Sequence, residues 1–146
     1  DRFELAPSQL NEKKIKLEWR QKGSDAYFDA YSLSDGTLRF ICLATLLLQP
    51  NPPALILLDE PELGLHPFAI RILAEMLEAA SKRVQVILAT QSVTLLNNFE
   101  PKDVIVAEND GLKTTFKRLD ENKLSMWLEE FSIGDLWEKN VLGGRP

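Results

Sequence analysis

Ala54-Leu55-Ile56-Leu57-Leu58 is an unbroken apolar run that ends in two carboxylates, Asp59 and Glu60, and a proline, Pro61. A short run of this kind, bounded by turn residues, predicts a β-strand covered on both faces, as in a parallel sheet. A second such run, Val84 to Ala89, ends at Thr90-Gln91-Ser92. Between them, Phe68 to Ala80 carries Ile70, Leu73, Ala74 and Leu77 at the i, i+3, i+4, i+7 spacing of an amphipathic helix. Strand, helix, strand in that order is a βαβ unit, which implies parallel strands and a right-handed crossover.

The flanks are more varied. Ile15, Leu17 and Trp19 alternate with charged residues, and alternation resumes from Ala26 to Tyr31 beyond a turn at residues 21–25, which predicts a β-hairpin. Leu38 to Gln49 is apolar nearly all round and predicts a buried helix, with Ser34 or Asp35 as N-cap and Pro50, Pro52 and Pro53 ending it. Asn109-Asp110-Gly111 between Val104–Ala107 and Thr114–Leu119 is a hairpin signal. Glu121 to Phe131 reads as a helix with Leu124, Trp127, Leu128 and Phe131 on one face, continuing through Ile133 to Trp137, and Gly143 to Pro146 reads as a loose end. The fold class expected is α/β, with parallel core strands, antiparallel hairpins and flanking helices.

Composition narrows the partners. The chain has 146 residues, 45% of them hydrophobic, enough for one compact domain with a core. A net charge of −5 with no Lys/Arg-rich run makes it a poor nucleic-acid binder on its own, without excluding DNA binding elsewhere in a longer protein. No apolar stretch approaches the roughly 20 residues of a membrane span, and the opening DRFELAPSQL lacks a signal-peptide pattern. A single cysteine, Cys42, makes no internal disulfide and is expected to be buried in its apolar run; the expected location is the cytoplasm. The chain opens abruptly on Asp1, as an excised segment would.

Three places carry candidate chemistry. In open α/β sheets ligands bind beyond the carboxyl ends of strands. There Asp59 would hold Mg²⁺ through water, since Mg²⁺ prefers oxygen ligands and keeps its waters, and Glu60 would act as general base on an attacking water. A strand that merely ends in acidic loop residues would look the same. Leu33-Ser34-Asp35-Gly36-Thr37 opens a helix, whose free N–H groups and dipole favour an anion; Gly36 permits close backbone approach and Ser34 adds a donor. A plain N-cap would also read this way. Gln91, one step past its strand, would reach a γ-phosphate or a water, or else lie solvated in a loop.

In this order, the three elements resemble an ABC-type ATPase head. LSDGT at Leu33–Thr37 resembles the family's signature loop, usually LSGGQ, and LILLDEP at Leu55–Pro61 resembles Walker B with its catalytic glutamate. ELGLHP at Glu62–Pro67 resembles the loop that follows in the RecF/SMC-like branch, and VILATQS at Val86–Ser92 resembles the switch region. DEPELGLHP points away from transporter subunits. WLEEFSIGDLWEKNVLGGRP is similar to the C-terminal segment of stand-alone bacterial ATPases with RecF/SMC-like heads.

The resemblance implies ATP and Mg²⁺ as cofactors. It implies Asp59 at the metal, Glu60 and Gln91 in catalysis, and Ser34, Asp35, Gly36 and Thr37 at the nucleotide of a partner head. Asp35 and Thr37 stand where Gly and Gln are commoner, and Asp35 must point away from the anion or be paired. Gln91 stands where the wider family often has histidine, and glutamine donates a hydrogen bond without carrying charge. The loop Glu62–His66 would cross a dimer interface, where His66 is expected to pack rather than catalyse. Trp19, Trp127 and Trp137 are expected to pack.

None of the seven glycines precedes a Lys-Ser/Thr pair, so no phosphate-binding loop of the G-x-x-x-x-G-K-[ST] kind occurs. Residues 1–146 would thus be the C-terminal lobe of such a head, with an N-terminal Walker A lobe and a second head as partners. The whole would be an ATP-gated homodimer with a possible DNA or protein partner and no membrane partner, and the isolated lobe would be inactive. Rival readings are an ATP-independent interaction module on the same fold, a transporter ATPase subunit, and a metal-dependent nuclease built on Asp59 and Glu60.

Overall fold

The computed structural model describes residues 2–8, 11–20, 23, 25–109 and 111–144, with side chains from residue 17 onward. The chain divides into two compact units, Asp1–Cys42 and Leu43–Pro146.

The first unit is a three-stranded antiparallel sheet in the order β1 (Arg2–Ser8), β2 (Asn11–Arg20), β3 (Tyr27–Asp29). The expected hairpin is present as β2 and β3, with Trp19 opposite Phe28. Their rings stack at 4.9 Å, and the Trp19 indole N–H donates to the Ser32 hydroxyl at 3.0 Å, so this tryptophan packs as expected. β1 has no counterpart in the alternation analysis. Pro7 lies in it, at the sheet edge, where a missing N–H is tolerated, and the register shifts there. A single 3-10 turn, Ala30–Ser32, leads to the helix α1 (Asp35–Leu48), whose first turns belong to this unit.

The second unit contains the expected βαβ element. β4 (Leu55–Asp59) and β5 (Gln85–Ala89) pair in parallel, with Leu55 opposite Gln85 and Asp59 opposite Ala89. The crossover helix α2 (Pro67–Ser81) buries Ile70, Leu73, Ala74, Leu77 and Ala80, the predicted face plus one further turn. His66 is its N-cap: Nδ1 accepts the Phe68 N–H at 3.2 Å, and Pro67 fills the first helical position. Arg83 donates to the carbonyls of Leu47 (2.7 Å) and Gln49 (3.3 Å), which ties the end of α1 to the turn before β5.

Two burial expectations are corrected here. β4 and β5 are covered on one face only: Ile56 is buried and Leu58 and Leu88 half-buried, but Leu57 is 66% and Ile87 50% exposed. α2 and the short helix α3 (Val93–Leu96) pack around Leu88 through Ile70, Ala74 and Leu95, and no described element of this unit covers the other face. α1 is likewise not buried all round: it starts at Asp35, buries only Leu43 and Leu47, and leaves Leu48 and Cys42 exposed. Cys42 is therefore not the interior residue its neighbours suggest.

The C-terminal part has its own core. β6 (Ile105–Asn109) and β7 (Thr114–Arg118) form the expected hairpin, and the Gly111 N–H donates to Asn109 Oδ1 at 2.7 Å in its turn, with Gly111 at φ 86°. Val106, Leu119, Ile133, Leu136 and Leu142 form a buried cluster, with Leu124, Leu128, Phe131 and Trp137 against it. Trp127 lies outside this cluster, tilted against Phe131 at 6.2 Å. The expected continuous helix is two: α4 (Glu121–Leu128) and α5 (Ile133–Glu138). Ser132 breaks it by capping α5, in a capping box with Asp135. The tail is not loose through Gly144. Trp137 donates to the Gly144 carbonyl at 3.4 Å, and a Cβ on Gly144 would meet Val106 Cγ1 at 2.5 Å, so only glycine fits. Arg145 and Pro146 lie outside the described residues.

Leu73 is 0% exposed, and Leu73→Ala is expected to cost about 2–5 kcal/mol in urea unfolding, against under ~0.5 kcal/mol for exposed Leu48→Ala. The Ser132 hydroxyl and then its N–H hold the Asp135 carboxyl below the usual aspartate range. A depressed carboxyl stabilises the fold above its unfolded pKa, and that contribution is lost as pH falls through the lowered value. Ser132→Ala is therefore expected to flatten the acid limb of a melting-temperature profile.

Candidate functional site

The parallel register decides where the carboxylates go. Asp59 is the last residue of β4 and Ala89 the last of β5, and they lie side by side. Alternation puts Asp59 on the exposed face with Leu57, and its carboxylate makes no ion pair with any described residue. Glu60 extends the pairing one step: its N–H donates to the Ala89 carbonyl at 2.9 Å. It does so at φ 40°, in the left-handed region that a residue with a Cβ rarely adopts. This backbone turn swings the chain out of the sheet at the carboxylate, and such outliers concentrate at functional sites.

Gln91 follows β5 at the same end of the sheet, exposed. On either side of it the chain is tied down. The Ser92 N–H donates to Thr90 Oγ1 at 2.9 Å, and Ser92 Oγ accepts the Leu95 N–H at 3.2 Å as the N-cap of α3. The Thr90 hydroxyl in turn donates to Glu62 Oε1. Asp59, Glu60 and Gln91 thus share one rim, and they line a cleft of about 550 Å³ whose other wall includes Val106, Glu108 and Trp137. Trp137 bridges this cleft and the C-terminal core, which agrees with its expected packing role.

Two participants were not assigned a role by sequence reasoning. Glu62 was expected only as part of an interface loop. It is 8% exposed, the one buried charged residue among those described, while Leu63, Gly64 and His66 after it are exposed. Thr90 is, by sequence alone, merely a strand end. No local signal marks either, because carboxylates are ordinarily outside and only tertiary packing buries one.

In the other unit, Ser34 and Thr37 are exposed at the tip of α1. Ser34 is the N-cap: Oγ accepts the Thr37 N–H at 3.2 Å and its carbonyl accepts the Leu38 N–H at 2.9 Å, while the Ser34 and Thr37 hydroxyls lie 2.8 Å apart. Asp35 is exposed in the first turn, where a negative charge favours the helix dipole, and Gly36 is half-buried.

The donor set bears on the metal. No group of three or more His, Cys, Asp or Glu among the described residues could cage an ion. Mg²⁺ does not need a cage: one or two carboxylates with phosphate and water oxygens suffice, and an exposed Asp59 at an open cleft fits that use. No described helix is long and apolar enough to cross a membrane.

Left-handed geometry at Glu60 makes a stability test possible. Glu60→Gly is expected to resist urea better than Glu60→Ala by about 1 kcal/mol, because only the alanine keeps a Cβ in that region.

Comparison with known proteins bears on the fold. The structure is similar to an SMC ATPase head from work on ATP-driven dimerization and DNA-stimulated activation of SMC ATPases, with a TM-score of 0.61 at 20% identity, covering 80% of this chain and 72% of that one. It is similar also to the SmcHead bound to the C-winged helix domain of ScpA, with a TM-score of 0.61 at 19% identity, covering 84% of this chain and 38% of that one. The fold is therefore an α/β arrangement similar to that of SMC ATPase heads, as the motifs predicted. No curated protein matches. A family model described as "AAA domain, putative AbiEii toxin, Type IV TA system" matches residues 2–97, and the chain belongs to that family of ATPase domains.

Proposed function

We propose that residues 1–146 are the C-terminal lobe of an ABC-type, RecF/SMC-like ATPase head that binds and hydrolyses ATP with Mg²⁺ in a cytoplasmic head-to-head homodimer. The observation that carries this reading is the shared rim of Asp59, Glu60 and Gln91 on an open cleft at the carboxyl end of parallel strands. In this reading Asp59 holds Mg²⁺ through water, and the ion supplies charge neutralisation for the phosphates. Glu60 takes the proton of the attacking water, and Gln91 orients that water by hydrogen bonding. Ser34, Asp35, Gly36 and Thr37, at the exposed tip of α1, face the nucleotide of the second head.

The lysine-bearing phosphate loop is supplied by sequence outside these residues, in an N-terminal lobe. β5 and β6 each have a single described neighbour, which supports a place for further strands beside them. The exposed Leu57 and Ile87 face of the β4–β5 sheet supports a further covering layer. For SMC ATPases, to which the fold is similar, ATP-driven dimerization and DNA-stimulated activation are described. A DNA or protein partner for the whole protein follows the same analogy.

In the complete protein, Glu60→Gln is expected to lower ATP turnover by about a hundredfold or more while ATP binding persists and the dimer accumulates, read by phosphate release and by light scattering. Unchanged turnover and unchanged assembly would favour an ATP-independent interaction module instead. Residues 1–146 alone are expected to release no phosphate above background, since they lack the lysine and backbone cradle for the β- and γ-phosphates.

A further inference from the structure

Glu62 is a buried carboxylate with half its hydrogen-bonding capacity idle. Oε1 accepts from the Thr90 hydroxyl, while Oε2 is enclosed and has no partner. An unmatched buried acceptor costs roughly 1–3 kcal/mol, and a charged one more. If the position only filled space between the loop after β4 and the end of β5, an apolar or amide side chain would do so at lower cost.

What the carboxylate adds is direction. The single hydroxyl hydrogen of Thr90 is given to Glu62 Oε1, and the Thr90 lone pairs are left to accept the Ser92 N–H. The chain of bonds runs Ser92 N–H to Thr90 Oγ1, then Thr90 O–H to Glu62 Oε1, and each bond polarises the next. Ser92 is fixed on its far side by capping α3. Gln91 is the one residue between these two anchors, and its side chain lines the cleft with Asp59 and Glu60.

We infer that Glu62 is a positioning residue of the ATPase site, which acts through Thr90 to fix the backbone from Thr90 to Ser92 and so hold Gln91 toward the attacking water. The inference rests on the ATPase reading above. A glutamine at position 62 would keep the volume but could also donate, which frees the Thr90 hydroxyl to turn away and loosens the Ser92 bond.

The test is steady-state ATP turnover of the complete protein. Glu62→Gln and Thr90→Val are each expected to lower kcat by about tenfold or more with KM changed less than about threefold, the mark of an interaction realised in the transition state. Thr90→Ser, which keeps the hydroxyl, should stay within about threefold of wild type, and Glu62→Gln with Thr90→Val together should be no worse than the poorer single variant, as members of one chain couple. Hydrogen exchange at the Ser92 amide should speed up in both variants while α2 stays protected. The inference is overturned if kcat is unchanged, if KM rises as much as kcat falls, if Thr90→Ser is as poor as Thr90→Val, or if the two losses add. Glu60→Gln separates the failures: if it abolishes turnover while Glu62→Gln does not lower kcat, only this inference falls. If wild type has no turnover, or Glu60→Gln leaves it unchanged, the ATPase reading falls and this inference with it.

Discussion

The parallel pairing of β4 with β5 is the constraint on which the rest of the site depends. Because Asp59 lies opposite Ala89, both strands end at the same level, and the residues that follow emerge together. A register shift of one residue would turn Asp59 to the covered face and carry the hydrophobic set of β4 outward. The pairing is extended by the Glu60 N–H to the Ala89 carbonyl, at the expense of a left-handed backbone at Glu60. Beyond that point the sheet hands over to side chains: Glu62 and Thr90 bridge the two exits where backbone pairing stops.

Helix starts are fixed by local chemistry throughout. Ser34, His66, Ser92 and Ser132 each accept a backbone N–H at the first turn of a helix. Capping by a histidine through Nδ1 is the unusual case, and it gives the single histidine a structural task. Two of these caps flank candidate chemistry: Ser34 at the tip of α1 and Ser92 just after Gln91. A capping side chain is oriented by its own helix, so it makes a firm reference point for its neighbours.

The βαβ unit was legible because its signals are local and strong: two aliphatic runs, one helical stripe at Ile70 to Leu77, and carboxylates at a strand end. The hairpin at Asn109 to Gly111 was legible for the same reason. Burial was less so. Leu55, Leu57 and Ile87 have the composition of a strand enclosed on both faces, yet that composition records what the strand is suited to rather than what covers it here. Cys42 and Leu48 on α1 show the same gap between pattern and exposure. The break between α4 and α5 was written in Ser132 and Asp135 as a capping box, but the helical stripe across it obscured the stop. Of the candidate cleft, Asp59, Glu60 and Gln91 could be placed together from their positions at strand ends, whereas Glu62 and Thr90 meet only through the fold, 28 residues apart.

The central claim is that the rim of Asp59, Glu60 and Gln91 is where the γ-phosphate end of ATP is processed. The most direct measurement is an experimental structure of the complete protein with Mg²⁺ and a non-hydrolysable ATP analogue. The account predicts Asp59 bridged by water to the metal, with Glu60 and Gln91 flanking a water in line with the γ-phosphate. Nucleotide bound away from this cleft, with Asp59 remote from the metal, would contradict it.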